Sequence, residues 1–125
     1  MAAQTGAYKV ALTAATSTAV GGVLNITNPE GVDLIITRVI IHTTTKSTGA
    51  ATLDIGIDDA GDTSNDTLFD GLDVGTAAGL FDNFENQGTN GVAAKLWPAG
   101  YHLVATASAT VAGLVGYAYI EYFRK

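Results

Sequence analysis

Asp62, Ser64, Asp66, Asp70 and Asp73 fall at positions 1, 3, 5, 9 and 12 of a twelve-residue stretch, the spacing with which a calcium loop presents oxygen ligands to a hard cation. Three features oppose that chemistry. Thr67 stands where the sharp turn of such a loop needs glycine, Asp73 is shorter than the bidentate glutamate that normally closes it, and no helical pattern flanks it. The stretch therefore reads as a solvated acidic loop with no essential metal, although Asp58 and Asp59 nearby would allow adventitious calcium. His42 and His102 are the two histidines, each inside a strand-like run. A histidine needs identifiable partners to act as base or ligand, and the chain has no Gly-x-Ser-x-Gly or His-Glu-x-x-His pattern to supply them. The glycine pairs of residues 71–75 and 113–116 lack the Lys-Ser/Thr of a phosphate loop, and Asp73 would repel a phosphate, so they read as turns and close-packing points. No catalytic residue, cofactor or enzymatic activity is expected. Trp97, Tyr101, Tyr117, Tyr119 and Tyr122 could form a stacking platform for a sugar ring, but aromatics at alternate strand positions more often serve a core or a subunit contact.

The elements that must position these residues are strands. Tyr8, Val10 and Leu12 alternate with polar or small neighbours, as do Leu53, Ile55 and Ile57, where Gly56 interrupts the polar side. That two-residue period marks half-buried strands. Residues 33–45 are dense in β-branched side chains, which suit a pleated surface, and predict a long central strand apolar on both faces through Ile41. Turn signals separate the runs: Asn28-Pro29-Glu30-Gly31, Ser47-Thr48-Gly49, Gly88-Thr89-Asn90-Gly91 and Pro98-Ala99-Gly100. The closing run, Leu114 to Phe123, is apolar on both faces and both are expected to be covered. Alanine-bearing residues 13–19 and 76–79 sustain no helical stripe. The expectation is an all-β domain of about eight strands in a two-sheet antiparallel sandwich, with residues 1–7 as an N-terminal arm and 8–125 as the domain. Its core should include Leu34, Ile36, Ile40, Leu53, Ile55, Leu103, Leu114 and Ile120.

A chain of 125 residues makes one domain with a real core. It has no cysteine, hence no disulfide framework or thiolate site. Acids outnumber bases 12 to 6, and the interval between Lys46 and Lys95 holds acids alone. Such a surface repels phosphate backbones, so nucleic acid is not an expected partner. Only 14% of residues are charged against 47% hydrophobic, where a solvated domain usually carries about a quarter charged; part of the surface should be covered in use. The N-terminus has no secretory-signal pattern, and no apolar run reaches transmembrane length, so no membrane association is expected.

Leu-Phe-Asp occurs at 68–70 and again at 80–82 around a glycine-rich turn. Together with the run from Trp97 to Tyr122, this stretch resembles small virion proteins of tailed bacteriophages that accompany the major capsid protein and decorate the head. The resemblance spans roughly residues 50–122 and carries no catalytic signature. It implies a jelly-roll form of the sandwich and a structural role on the capsid surface after synthesis in the host cytoplasm. It also implies the major capsid protein as partner and a homo-oligomer, with a trimer favoured by three-fold lattice positions. Tyr117, Tyr119, Tyr122 and Tyr8 are the candidate subunit contacts, and the arm from Ala2 to Tyr8 is the candidate capsid contact. Two competing readings are a carbohydrate- or receptor-binding sandwich and a self-assembling filament or tube subunit, the latter from the strand edges an open sandwich leaves.

Overall fold

The computed structural model describes residues 4–125. Among the described residues nine strands form: β1 (Thr5–Ala11), β2 (Leu24–Thr27), β3 (Leu34–Thr45), β4 (Thr52–Asp58), β5 (Phe69–Asp73), β6 (Gly79–Asp82), β7 (Lys95–Trp97), β8 (His102–Ala107) and β9 (Val115–Arg124). Of the expected arm, residues 1–3 lie outside the described residues, whereas residues 5–7 are already paired strand, with Thr5 opposite Phe123.

Pairing is antiparallel throughout and nested. β1 pairs β9, β2 pairs β8, β3 pairs β6 and β7, and β4 pairs β5. The chain is thus one long hairpin with its tip between β4 and β5, rolled so that successive nested pairs alternate between two sheets. The pairs β3·β9 and β4·β8 close the roll, giving sheet orders β1-β9-β3-β6 and β2-β8-β4-β5 with β7 added to β3. This is a jelly roll. Between the sheets lie Trp97, Phe69, Leu34, Ile36, Ile41, Leu53, Ile55, Leu68, Leu103 and Ile120, all fully buried. Among the described residues no helix is long and apolar enough to cross a membrane.

Ile40 departs from the expected core. Pairing of β3 with β9 runs Ile36↔Tyr122 and then Arg38↔Glu121, so Thr37 is an extra residue bulged out of the ladder. A bulge reverses the facing of everything beyond it: Val39 and Ile41 enter the core, while Arg38 and Ile40 turn outward. Unbroken alternation would have placed Arg38 beside Ile36 in the core, and an unpaired buried charge is far costlier than one kink. The hydroxyl of Thr37 donates to Glu121 Oε1 at 2.8 Å, which satisfies the bulged side chain.

One edge of β3 is covered by β9 along its length; the other is shared by β7 at residues 34–36 and β6 at residues 40–43. Fully buried Asn83 fills the gap. It accepts from Val39 N at 2.8 Å through Oδ1, and its own backbone N–H donates to Val39 O at 3.2 Å. Its Nδ2 donates to the carbonyls of Val92 and Ala93 at 2.9 and 2.8 Å. One side chain thus stands in for a missing strand residue, since a buried backbone N–H left unpaired is disfavoured. Gly56, the break in the polar side of β4, has Asn65 and Thr67 lying directly over it, and a Cβ there would overlap both side chains.

Candidate functional site

The acidic residues serve turns and do not converge as a loop. Asp73 Oδ1 accepts from Gly75 N and Thr76 N, and Oδ2 accepts from the Thr76 hydroxyl at 2.6 Å; these bonds, the hydroxyl foremost, hold its carboxyl below the usual range. Asp66 and Asp70 each accept from Asn90. Ser64 is exposed, and Asp62 is grouped with Asp58 and Asp59, their ligand atoms within 4.8 Å of one another. Of the five residues at calcium-loop spacing, only Asp62 belongs to that group, because β5 carries Asp70 and Asp73 away along the sheet. Asp58 Oδ2 is itself occupied by the backbone N–H groups of Asp62 and Thr63. Burial opposes its ionisation, but four backbone N–H groups from Ala60 to Thr63 outweigh it and keep the carboxyl below its ordinary value. Asp54 is raised by burial, relieved in part by the N–H of Gly71, and its neighbours Asp66 and Asp70 push it further. Together, Asp54, Asp58, Asp70 and Asp73 make the outward face of the β2-β8-β4-β5 sheet acidic.

The histidines sit in different sheets. His102 Nδ1 lies 2.8 Å from Asn25 Oδ1, an amide that also donates to Gly61 O. His42 lies on the opposite sheet between Tyr117 and Leu80.

The tyrosines divide. Tyr122, expected at a subunit contact, points between the sheets and is 3% exposed. Its hydroxyl donates to Glu30 Oε2 at 2.7 Å, and Arg124 Nη2 grips the same oxygen at 2.8 Å. Tyr8 also faces inward, packed against the core. Tyr117 and Tyr119 face outward on β9. Of the two faces of the final run, the Gly116–Ala118–Ile120–Tyr122 side is buried within the chain, while Val115, Tyr117 and Phe123 on the other are exposed in the single chain. The five aromatics form no platform: Trp97 is fully buried, donating through Nε1 to Tyr101 O at 2.9 Å. Lys9 Nζ lies 4.5 and 5.5 Å from the ring centres of Tyr117 and Tyr119, over the faces a sugar would use.

What emerges is the outward face of the β1-β9-β3-β6 sheet. Its register aligns residues in rows: Thr5–Phe123–Ile35–Leu96, Ala7–Glu121–Arg38, Lys9–Tyr119–Ile40–Asp82 and Ala11–Tyr117–His42–Leu80. Leu80 is 70% exposed, and Val115, Phe123, Phe84, Leu96 and Tyr117 are exposed with it. A hollow of about 310 Å³ crosses the two middle rows, between Ala7, Lys9, Arg38, Ile40, Tyr119 and Glu121. Arg38 stacks its guanidinium 4.8 Å from the centre of the Phe84 ring. Among the described residues the ion pairs are Arg124–Glu30 and Lys125–Asp33, so Lys9 and Arg38 rest on aromatic rings without a direct ion pair. Asp82 accepts from Phe84 N and Glu85 N through Oδ1. The N–H groups of Glu85 and Phe84, aided by Arg38 and against some burial cost, hold it ionised below the usual range. Exposed apolar residues at both ends of the face flank two middle rows that carry its charges, a mixture of apolar, aromatic and charged groups of the kind found in protein contact surfaces. Sequence reasoning reached Tyr117 and Tyr119 but missed Leu80, Phe84 and Leu96; their signal is an apolar residue where alternation demands a solvent-facing one.

Fold and face together define a β jelly roll with one apolar and one acidic side. No protein-family model matches the sequence, and comparison with curated proteins gives no match. Among solved structures, the fold is similar to a chain in the acidic stable capsid structure of Helicobacter pylori bacteriophage KHP30. The TM-score is 0.60 at 14% sequence identity, over 97% of this chain and 88% of that one, a likeness of fold.

Proposed function

We propose that this chain is a structural protein of a tailed-phage virion that decorates the head, binding the capsid lattice and stabilising it while associating with copies of itself. The observation that carries the reading is the two-sidedness of the jelly roll. One sheet presents Leu80, Phe84, Leu96, Val115, Tyr117 and Phe123 to a neighbour, while the other presents Asp54, Asp58, Asp70 and Asp73 to solvent. Covering the first removes apolar area from water, and the second keeps an assembled particle soluble by repulsion. The similarity of fold to a chain in a phage capsid structure supports the same reading, as does the resemblance of residues 50–122 to head proteins. The partner is the major capsid protein, the seat is the outer surface of the head, and three copies per seat is the expected stoichiometry. No catalytic step is part of this role.

The test is binding to heads. Purified protein mixed with phage heads lacking it should co-sediment to saturation and raise the temperature at which the heads rupture. Heads that pellet without it, at protein concentrations of tens of micromolar, would remove the decoration role. Selective retention on a glycan array would promote the carbohydrate-binding reading in its place.

A further inference from the structure

We infer that the outward face of the β1-β9-β3-β6 sheet is self-complementary about a two-fold axis, and that its occupant is the same face of a second copy of this chain. The inference rests on the proposal that the protein self-associates, and it names the surface and the symmetry. Four strands lie side by side in the order β1, β9, β3, β6. A two-fold axis parallel to the strands, placed between β9 and β3, turns a second copy over onto the first. That operation lays β1 on β6 and β9 on β3 while leaving each row opposite itself.

The charges then match. In one row Lys9 on β1 meets Asp82 on β6 of the second copy, and Asp82 meets its Lys9. In the adjacent row Glu121 on β9 meets Arg38 on β3, and the reverse. Within the row of Lys9 and Asp82, Tyr119 meets Ile40; at the ends Phe123 meets Ile35 and Tyr117 meets His42. Phe84, held beside Arg38 by the stacked guanidinium, comes over the hollow that small Ala7 leaves in the same row. A contact in which each residue meets its counterpart's partner is what a closed dimer requires. Sheets stacked face to face stay within about 30° of alignment, so rows remain in reach of rows.

Two further observations favour this occupant. Among the described residues Lys9 and Arg38 form no direct ion pair, Arg38 acting on Asp82 only from a distance. Covering the face would strand both charges out of water unless the occupant brought acids to those two places, and this face brings them. The size also fits. Strands of 7, 10 and 12 residues, with the 4 of β6 and 3 of β7 sharing the last edge, present roughly 600 Å² in projection at about 4.8 Å between strands, near the 800 Å² or so that each partner of a stable complex buries. The two-fold contact joins copies in pairs, so a three-fold cluster would use a different surface, with this one linking neighbouring clusters.

The experiment is a charge-swap mixture followed by sedimentation velocity, with circular dichroism confirming that each variant is folded. The parent should sediment as a dimer at micromolar concentration. Arg38→Glu alone sets glutamate against Glu121 twice across the axis, and Glu121→Arg alone sets arginine against Arg38 twice. Each should raise the dimer Kd by about a hundredfold or more, as expected for like charges brought together in an interface. Mixing the two variants one to one restores every pair, and the dimer should return at the parent's Kd. Lys9→Asp and Asp82→Lys form a second set, used if a variant of the first is unfolded. A parent that is monomeric at high micromolar concentration, a trimer indifferent to these swaps, or a mixture that stays monomeric would each overturn the inference. Binding to heads is measured separately: a charge-sensitive dimer that ignores heads keeps this contact and loses the decoration role. Head binding by a swap-indifferent monomer does the opposite.

Discussion

Replacing Asn83 by alanine is the most informative single perturbation of the fold, because one side chain closes the gap in the β3 edge between β6 and β7. Alanine strands the Val39 N–H in a fully enclosed position, and a buried unsatisfied donor costs about 1–3 kcal/mol. The carbonyls of Val92 and Ala93 lie in a part-exposed loop. Water can replace the amide there, so each lost bond adds only about 0.5 kcal/mol, the low end for a net hydrogen bond. The total is near 3 kcal/mol. With an unfolding entropy of about 2.1 cal/mol/K per residue, a chain of this length loses about 0.26 kcal/mol per degree near its midpoint, so Tm should fall by about 11 °C. Differential scanning calorimetry reads this directly, and amide exchange should show the Val39 N–H losing protection. Asp82 and Phe84 flank the anchor, so self-association should weaken as well. A Tm within 3 °C of the parent would refute the reasoning, since it would mean that water or a backbone shift satisfies Val39 without the amide.

Ile55→Ala should cost about 2–5 kcal/mol, as for other buried aliphatic truncations, because Ile55 is fully buried beside Phe69 and Ala105; an unchanged urea midpoint would contradict its place in the core. The Glu30 carboxyl is held below 4.5 by the Arg124 hydrogen bond first and the Tyr122 hydroxyl second. A depressed acid contributes stability above its unfolded value, lost as pH falls through the folded one, so stability should hold from neutral pH to about 5 and decline below 4.5. Glu30→Gln should flatten part of that decline, Asp58, Asp73 and Asp82 supplying the rest; an identical acid limb in both proteins would show the network to be idle. Calcium should leave Tm unchanged at millimolar concentration, because Asp58 already accepts two backbone N–H groups and the other acids cap separate turns. A site a hundredfold above its Kd would add about 2.7 kcal/mol, so a calcium-dependent rise of several degrees would reveal ligands acting together.

The sequence by itself determined that this protein is built of antiparallel strands, where their apolar sides lie and which segment is acidic, because a two-residue period and turn chemistry are local properties. Leu34, Ile36, Leu53, Ile55, Leu103, Leu114 and Ile120 are buried as the alternation requires. One local clue to the bulge was present as well: unbroken alternation from Leu34 would bury Arg38, and an unpaired charge in a core signals a slip. The exit of Ile40 and the entry of Val39 follow from that slip, yet its position at Thr37 depends on the ladder with β9, more than eighty residues away. Tertiary structure also decided which side of the final strand is open. Tyr117 and Tyr122 are equally aromatic in the sequence, but β9 lies between β1 and β3 with only one of its faces against the second sheet. The alignment of Lys9, Tyr119, Ile40 and Asp82 in one row joins four strands distant in sequence. Register between distant strands is fixed by hydrogen bonds and packing formed only when the roll closes, and so are the surface charges that register brings side by side.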